Sequence, residues 1–280
     1  MIDFFKANYH THSLYCDGKC TLLQHVEEAE RLGLRQLGFS SHAPVPFDNR
    51  FAISMERLPE YCSEIESLQG KTKVKLLKSL ECDFVPGITY QFSKLQSDNK
   101  LDYIIGGVHL VKPHNSDELW FIDGSKRETY DEGLLKLFNN DIKRAVTTFW
   151  EQTFEMLETE KMDIIAHVDK IKMHNGDRFF TEDELWYKIL ADKALQLIKR
   201  HNVVMEINTR GLYKKRCNSF YPSMYMLTEA RRLDIPVVAS SDAHKADELS
   251  LFVDEAVNVL EQCGYERTAR FDTDLGRFVF

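Results

Sequence analysis

The sequence predicts an α/β fold, a distorted TIM-like barrel of seven βα units, on three observations. Strand-like and helix-like segments alternate almost throughout the 280 residues, without a composition break, flexible linker or internal repeat. The strand segments are short and apolar on both faces, as parallel strands sheathed by helices are. Metal-competent side chains recur at the C-terminal ends of six strand segments: His10 and His12, His42, Glu81, His109, His167, then Asp242 and His244. In a barrel these ends meet at one mouth; in an open doubly wound sheet only a few would meet at a switch point. The length suits one barrel or two modest domains, and the unbroken series favours one domain over residues 1–280.

In chain order, Asn8–Ser13 is the first strand segment, and its two histidines share a face because side chains alternate with period two. Thr21 and Gln24 form a capping box for a helix whose stripe is Leu22, Leu23, Val26, Ala29 and Leu32, with Gly33 ending it. Gln36–Ser40 is the second strand. A loop with Pro44 and Pro46 leads to a helix from Ser54 carrying Leu58, Tyr61, Ile65 and Leu68 at helical spacing. Val74–Cys82 is the third strand, and a short helix over Thr89–Leu95 precedes the fourth, Tyr103–Val108. The stretch 111–139 is long and charged, with Trp120, Phe121 and Tyr130, and reads as an inserted lid loop or helical hairpin. A long helix with Ile142, Ala145, Val146, Phe149, Met156 and Leu157 on one stripe follows. Met162–Ala166 is the fifth strand, and Thr181 and Glu184 cap a helix reaching Arg200. Val203–Ile207, a helix from Pro222 to Arg232, Pro236–Ser240 and a helix over Asp247–Cys263 complete the series before a polar tail.

Composition narrows the partners. An apolar fraction of 43% supplies a full core. With 44 acidic against 36 basic residues and a net charge of -8, the chain is not expected to bind nucleic acid or an anionic membrane surface. No apolar run is long enough to span a bilayer and no export signal is apparent, so a cytoplasmic location and reduced cysteines are expected. Cys16 and Cys20 flank the histidine pair as soft ligands or, more plainly, small core residues. The sequence carries no signal for oligomeric state.

A lone histidine at a strand end is most often a hydrogen-bonded loop residue, and His25, His114, His174 and His201 are read that way. What changes the reading elsewhere is recurrence. Buried-end acids and imidazoles gathered without cations would lose hydration uncompensated, so bound metal is the economical explanation.

The ordered set His10-Thr-His12, His42, Glu81, His109, His167 and Asp242-Ala-His244 resembles the polymerase-and-histidinol-phosphatase (PHP) superfamily of distorted seven-stranded barrels, across nearly the whole chain. The stand-alone length and Asp17 after the His-x-His pair are similar to the branch acting on L-histidinol phosphate. The resemblance implies three divalent ions, zinc, manganese or iron. His10, His12, Glu81 and Asp242 would hold the first, with Glu81 bridging to a second held by His109 and His167. Asp17, His42 and His244 would hold the third. It implies hydrolysis of a small phosphate monoester by a metal-bridging hydroxide. Asp17, His42, Glu81, His244 and Arg210 are then the catalytic candidates. Arg210 and Arg178 are expected on the phosphate, and Tyr15 and Asp169 near the imidazole and amine. Ser241 and Asp169 are candidates for orienting histidine ligands. Other readings are a PHP enzyme for a nucleotide or small phosphodiester, or a non-catalytic PHP module. No residue is assigned as general acid.

Overall fold

A computed structural model describes residues 2–114 and 116–280. Most strands of its parallel sheet are short and buried on both faces, and polar residues follow their C-terminal ends. The elements run β1 (Ala7–Asn8), α1 (Leu22–Leu32), β2 (Gln36–Phe39), α2 (Leu58–Gln69), β3 (Lys75–Asp83), α3 (Phe92–Asn99) and β4 (Tyr103–Gly107). The pair β5 (Leu110–Val111) and β6 (Trp120–Phe121) follows, then α4 (Arg127–Phe138), α5 (Ile142–Thr159), β7 (Ile164–Ile165), α6 (Leu185–His201) and β8 (Val204–Asn208). The chain ends with α7 (Arg210–Tyr213), α8 (Met224–Arg232), β9 (Val237–Ser240), α9 (Val253–Gln262), β10 (Arg270–Asp272) and β11 (Arg277–Val279).

Seven strands, in the order β1-β2-β3-β4-β7-β8-β9, form one all-parallel sheet. The ring closes through a parallel bridge between Thr11 and Ala243, with His12 N–H donating to the Ala243 carbonyl at 2.8 Å and Ala243 N–H to the His10 carbonyl at 3.2 Å. The regular first strand is shorter than the expected Asn8–Ser13: beyond Asn8 the backbone divides its hydrogen bonds, Thr11 accepting from the Ser40 N–H on one side while His10 and His12 bond Ala243 on the other. The expected capping box is present, with Thr21 and Gln24 satisfying each other's backbone and Gly33 closing α1 at φ 69°.

The stretch 111–139 carries regular structure, with one helix rather than a helical hairpin among its described residues. It holds the two-residue antiparallel ladder β5–β6 and the single helix α4; Asn115 within it lies outside the described residues. Trp120 is buried there against Tyr130 and Phe138, its indole N–H donating to the Tyr130 carbonyl.

Aromatic side chains fill the N-terminal end of the barrel. Tyr9 and Tyr103 pack with Phe271 and Phe278 of the C-terminal hairpin β10–β11. Gly38 is required here, because a Cβ would lie 1.8 Å from the Tyr103 hydroxyl. With that end plugged, the converging polar strand ends face the opposite mouth. No helix among the described residues is long and apolar enough to cross a membrane, and all six cysteines are unpaired.

Candidate metal centre

Each donor reaches the mouth by a local device. His10 and His12 follow β1 with one residue between them, and Glu81 and Asp83 share a face of β3 by the same alternation. His109 follows β4 by two residues. His167 and Asp242 stand just past β7 and β9 with φ of 28° and 52°, conformations costing about 1–3 kcal/mol in a residue with a Cβ. The His167 backbone is held there by its N–H donating to Glu206 Oε2 at 3.0 Å.

Glu81 lies at the centre, and its two oxygens face different sets of imidazoles. Oε2 is 3.2 Å from His10 Nε2, 3.3 Å from His12 Nε2 and 3.2 Å from His42 Nδ1. Oε1 is 2.9 Å from His167 Nε2 and 3.3 Å from His109 Nε2. Asp242 Oδ1 completes the first set, 3.4 Å from His12 Nε2 and 3.8 Å from His10 Nε2. Ligand bonds of about 2.0–2.1 Å in a tetrahedron place neighbouring donors about 3.3–3.4 Å apart, so most of these spacings match the edges of coordination polyhedra. A third group joins His12, Asp17, His42 and His244, with His244 Nε2 3.2 Å from Asp17 Oδ1. His12 belongs to two groups because Nε2 faces Glu81 while Nδ1 lies 3.8 Å from Asp17 Oδ1.

His10 Nε2, His12 Nε2, His42 Nδ1, Asp17 Oδ1 and Asp242 Oδ1 are buried without hydrogen-bond partners. Orphaned donors at this density are costly in isolation, and divalent cations satisfy them together. The charges agree. Burial alone would lower the His10 pKa, but Glu206, Glu81 and Asp242 push it up to about 10. Burial and the Lys170 ammonium pull His167 down to about 4, and burial with His12 and Arg210 pulls His244 down to about 3, leaving both as neutral imidazoles. Burial would raise Glu81 and Asp242, yet the imidazoles around both, and Arg210 beside Asp242, hold them ionised.

Two residues that orient the histidines were not among the sequence candidates. Glu206 Oε1 is 2.7 Å from His10 Nδ1, and Asp83 Oδ1 is 2.7 Å from His109 Nδ1. These contacts aim the opposite ring nitrogens into the centre, as metal-bound imidazoles require. Both were findable: Glu206 is the single acid in an apolar strand, and Asp83 lies two residues past Glu81. Ser241 instead accepts from Asn8 Nδ2 at 2.7 Å, and Asn8 Oδ1 receives the His10 N–H, so it braces a backbone rather than a ring.

Three candidates for substrate contact lie elsewhere. The Tyr15 hydroxyl donates to Glu64 at 2.6 Å, under the Arg57 guanidinium. Asp169 is turned to Lys172 Nζ at 2.8 Å and to the Ser223 N–H. Arg178 forks onto Asp131 with two bonds of 2.8 Å. In each case another charged or polar group holds the side chain, and none of the three lines the cavity. Arg210, by contrast, lines the cavity above the donors, its Nη1 held by the Asp242 carbonyl at 2.8 Å and the Tyr213 hydroxyl at 3.1 Å. Arg216 and Asp123 line it too, and Asp123 is paired with the buried Lys170 at 2.9 Å. Cys16 Sγ lies 3.5 Å from His12 Nδ1, but neither Cys16 nor Cys20 belongs to a donor group among the described residues. The cavity is about 210 Å³, room for a small molecule; a larger one of about 600 Å³ at the strand beginnings contains none of these donors.

A parallel barrel whose C-terminal mouth gathers buried histidines around a central carboxylate defines a class of barrel proteins able to hold divalent metal. The PHP domain profile matches residues 8–210, and the chain belongs to that family. It is 27% identical over 269 residues to the "Probable histidinol-phosphatase" of Deinococcus radiodurans, covering 94% of this chain and 95% of that protein. It is 24% identical to the histidinol-phosphatase of Bacillus subtilis, covering 92% and 99%. Among solved structures, the histidinol phosphate phosphatase of Lactococcus lactis, complexed with zinc, L-histidinol and phosphate, has a TM-score of 0.70 at 20% identity, covering 99% of this chain and all of that one.

Proposed function

We propose that the chain is a metal-dependent phosphomonoesterase that hydrolyses L-histidinol phosphate to L-histidinol and phosphate. The observation that carries this reading is the division of Glu81 between two imidazole sets, with a third group around Asp17. The full-length relatives named histidinol-phosphatase, and the Lactococcus lactis complex, supply the substrate.

The donors are apportioned to three divalent ions: His10, His12, Glu81 and Asp242 to one; Glu81, His109 and His167 to a second; Asp17, His42 and His244 to a third. Bound there, the ions supply a nucleophile ionised near neutral pH and neutralise charge on the phosphoryl oxygens. The chain does the positioning on which phosphoryl transfer depends. Glu206 and Asp83 fix the rings of His10 and His109. Arg210, fixed by Asp242 and Tyr213, presents its guanidinium to a phosphate entering the cavity. The floor is closed to bulk water by the buried donors themselves.

The test is phosphate release from L-histidinol phosphate, a nucleoside monophosphate and a generic diester by protein reconstituted with manganese or zinc. The proposal requires at least about tenfold preference for L-histidinol phosphate in kcat/KM, ~1.4 kcal/mol of transition-state discrimination. Preference for either of the others would reassign the substrate.

A further inference from the structure

Two phenylalanines stand at the rim of an otherwise polar cavity. Phe51, in the loop after β2, and Phe121, ending β6, both line it beside His42, Asp123 and Arg216. Their rings are nearly parallel, 13° apart, with centroids separated by 6.5 Å. Phe121 keeps 38% of its surface exposed, although its neighbours Trp120 and Ile122 are fully buried.

Both rings are held in place. Asn49 Oδ1 accepts from the Phe51 and Ala52 N–H groups at 3.1 and 2.8 Å, and the Ile53 N–H donates to the His42 carbonyl at 3.0 Å. Phe51 also stands edge-on to His42, with centroids 5.4 Å apart. Phe121 pairs with Leu110 in the β5–β6 ladder, and Trp120 is packed beneath. Rigid, half-exposed aromatic faces at a cavity mouth are ready-made contacts for an apolar or planar group. The two near-parallel faces border the same cavity, and a flat ring entering it can stack on either face at about 3.5 Å.

We propose that Phe51 and Phe121 form the seat for the planar ring of the substrate, and that this seat selects ring-bearing phosphate monoesters over ring-free ones. The inference rests on the phosphomonoesterase reading and names the residues that set its substrate preference. It gives the β5–β6 ladder a specific task, to carry one wall of the seat to the mouth.

The experiment compares kcat/KM for L-histidinol phosphate and for the ring-free phosphoethanolamine in metal-loaded wild type, Phe121→Ala, Phe51→Ala and Phe121→Tyr, with metal content measured on each. The expected result is that the ratio of the two kcat/KM values falls at least tenfold in both alanine variants. Most of the change should lie in KM for L-histidinol phosphate, and Phe121→Tyr should restore the ratio. A wild-type preference that survives in both alanine variants overturns the seat and leaves the phosphatase reading standing. A wild type with no preference for the ring-bearing ester overturns both.

Discussion

His10 shows how much of the centre is built by single contacts. Its Nδ1 faces Glu206 at 2.7 Å, and three carboxylates raise its pKa to about 10. Without metal, the ring is therefore protonated at neutral pH, and a cation must displace that proton to bind. The sign follows: metal affinity weakens as pH falls, because the competing proton is held more fully. Replacing Glu206 by Gln removes one charge from His10 and lowers its pKa. The proton then competes less, but the ring also loses the carboxylate that orients it and makes it a stronger ligand, and this loss dominates: zinc titrations of Glu206→Gln should show about 10–100-fold weaker binding at pH 7.5 and a shallower dependence on pH, and unchanged affinity and slope would remove Glu206 from the centre. The donors themselves were legible because they recur at strand ends. Glu206 and Asp83 left a fainter signal, a lone acid in an apolar strand and an acid two residues past Glu81, because they act through a neighbour. Tyr15 and Arg178 are held by Glu64 and Asp131, which come from elements that sequence alone does not bring near, whereas Asp169 is held by Lys172 only three residues on, a pairing that spacing alone allows.

At the scale of elements, the helices with strong stripes and caps were the most legible. α1 begins at its capping box, and α5 keeps the predicted stripe from Ala145 to Leu157 buried. The stretch 111–139 was hardest, since its ladder is only two residues long and its order comes from packing. Trp120 presses on Gly133 of α4, where an added Cβ would lie 2.1 Å from the indole Cδ1. Helix propensity alone favours Ala over Gly by ~1 kcal/mol, but displacing a buried indole typically costs ~1–3 kcal/mol, so the clash wins. Gly133→Ala should lower the denaturation midpoint in urea while metal content stays constant; a stabilised variant would mean that Trp120 is not fixed there.

Over the whole molecule, the two ends of the barrel divide the work. Phe271 and Phe278 of the hairpin β10–β11 close one end over Tyr9 and Tyr103, and the ring shuts at the other where Thr11 meets Ala243. That closure brings the first and seventh strands side by side and sets His12 Nε2 3.4 Å from Asp242 Oδ1, joining donors 230 residues apart (242 less 12). Convergence of strand ends was the one global property the sequence displayed, and it decided barrel over open sheet. The plug at the other end was harder to place, because the tail 267–280 offers an aromatic end but no periodicity to say whether it packs on the barrel or on a neighbour. The most direct test of the centre is metal analysis of wild-type protein and Glu81→Ala, both loaded with zinc and freed of excess. Three ions, two of which share Glu81, predict about three equivalents in wild type and a loss of more than one in the variant, with phosphatase activity abolished. Full retention of metal by Glu81→Ala would contradict the account.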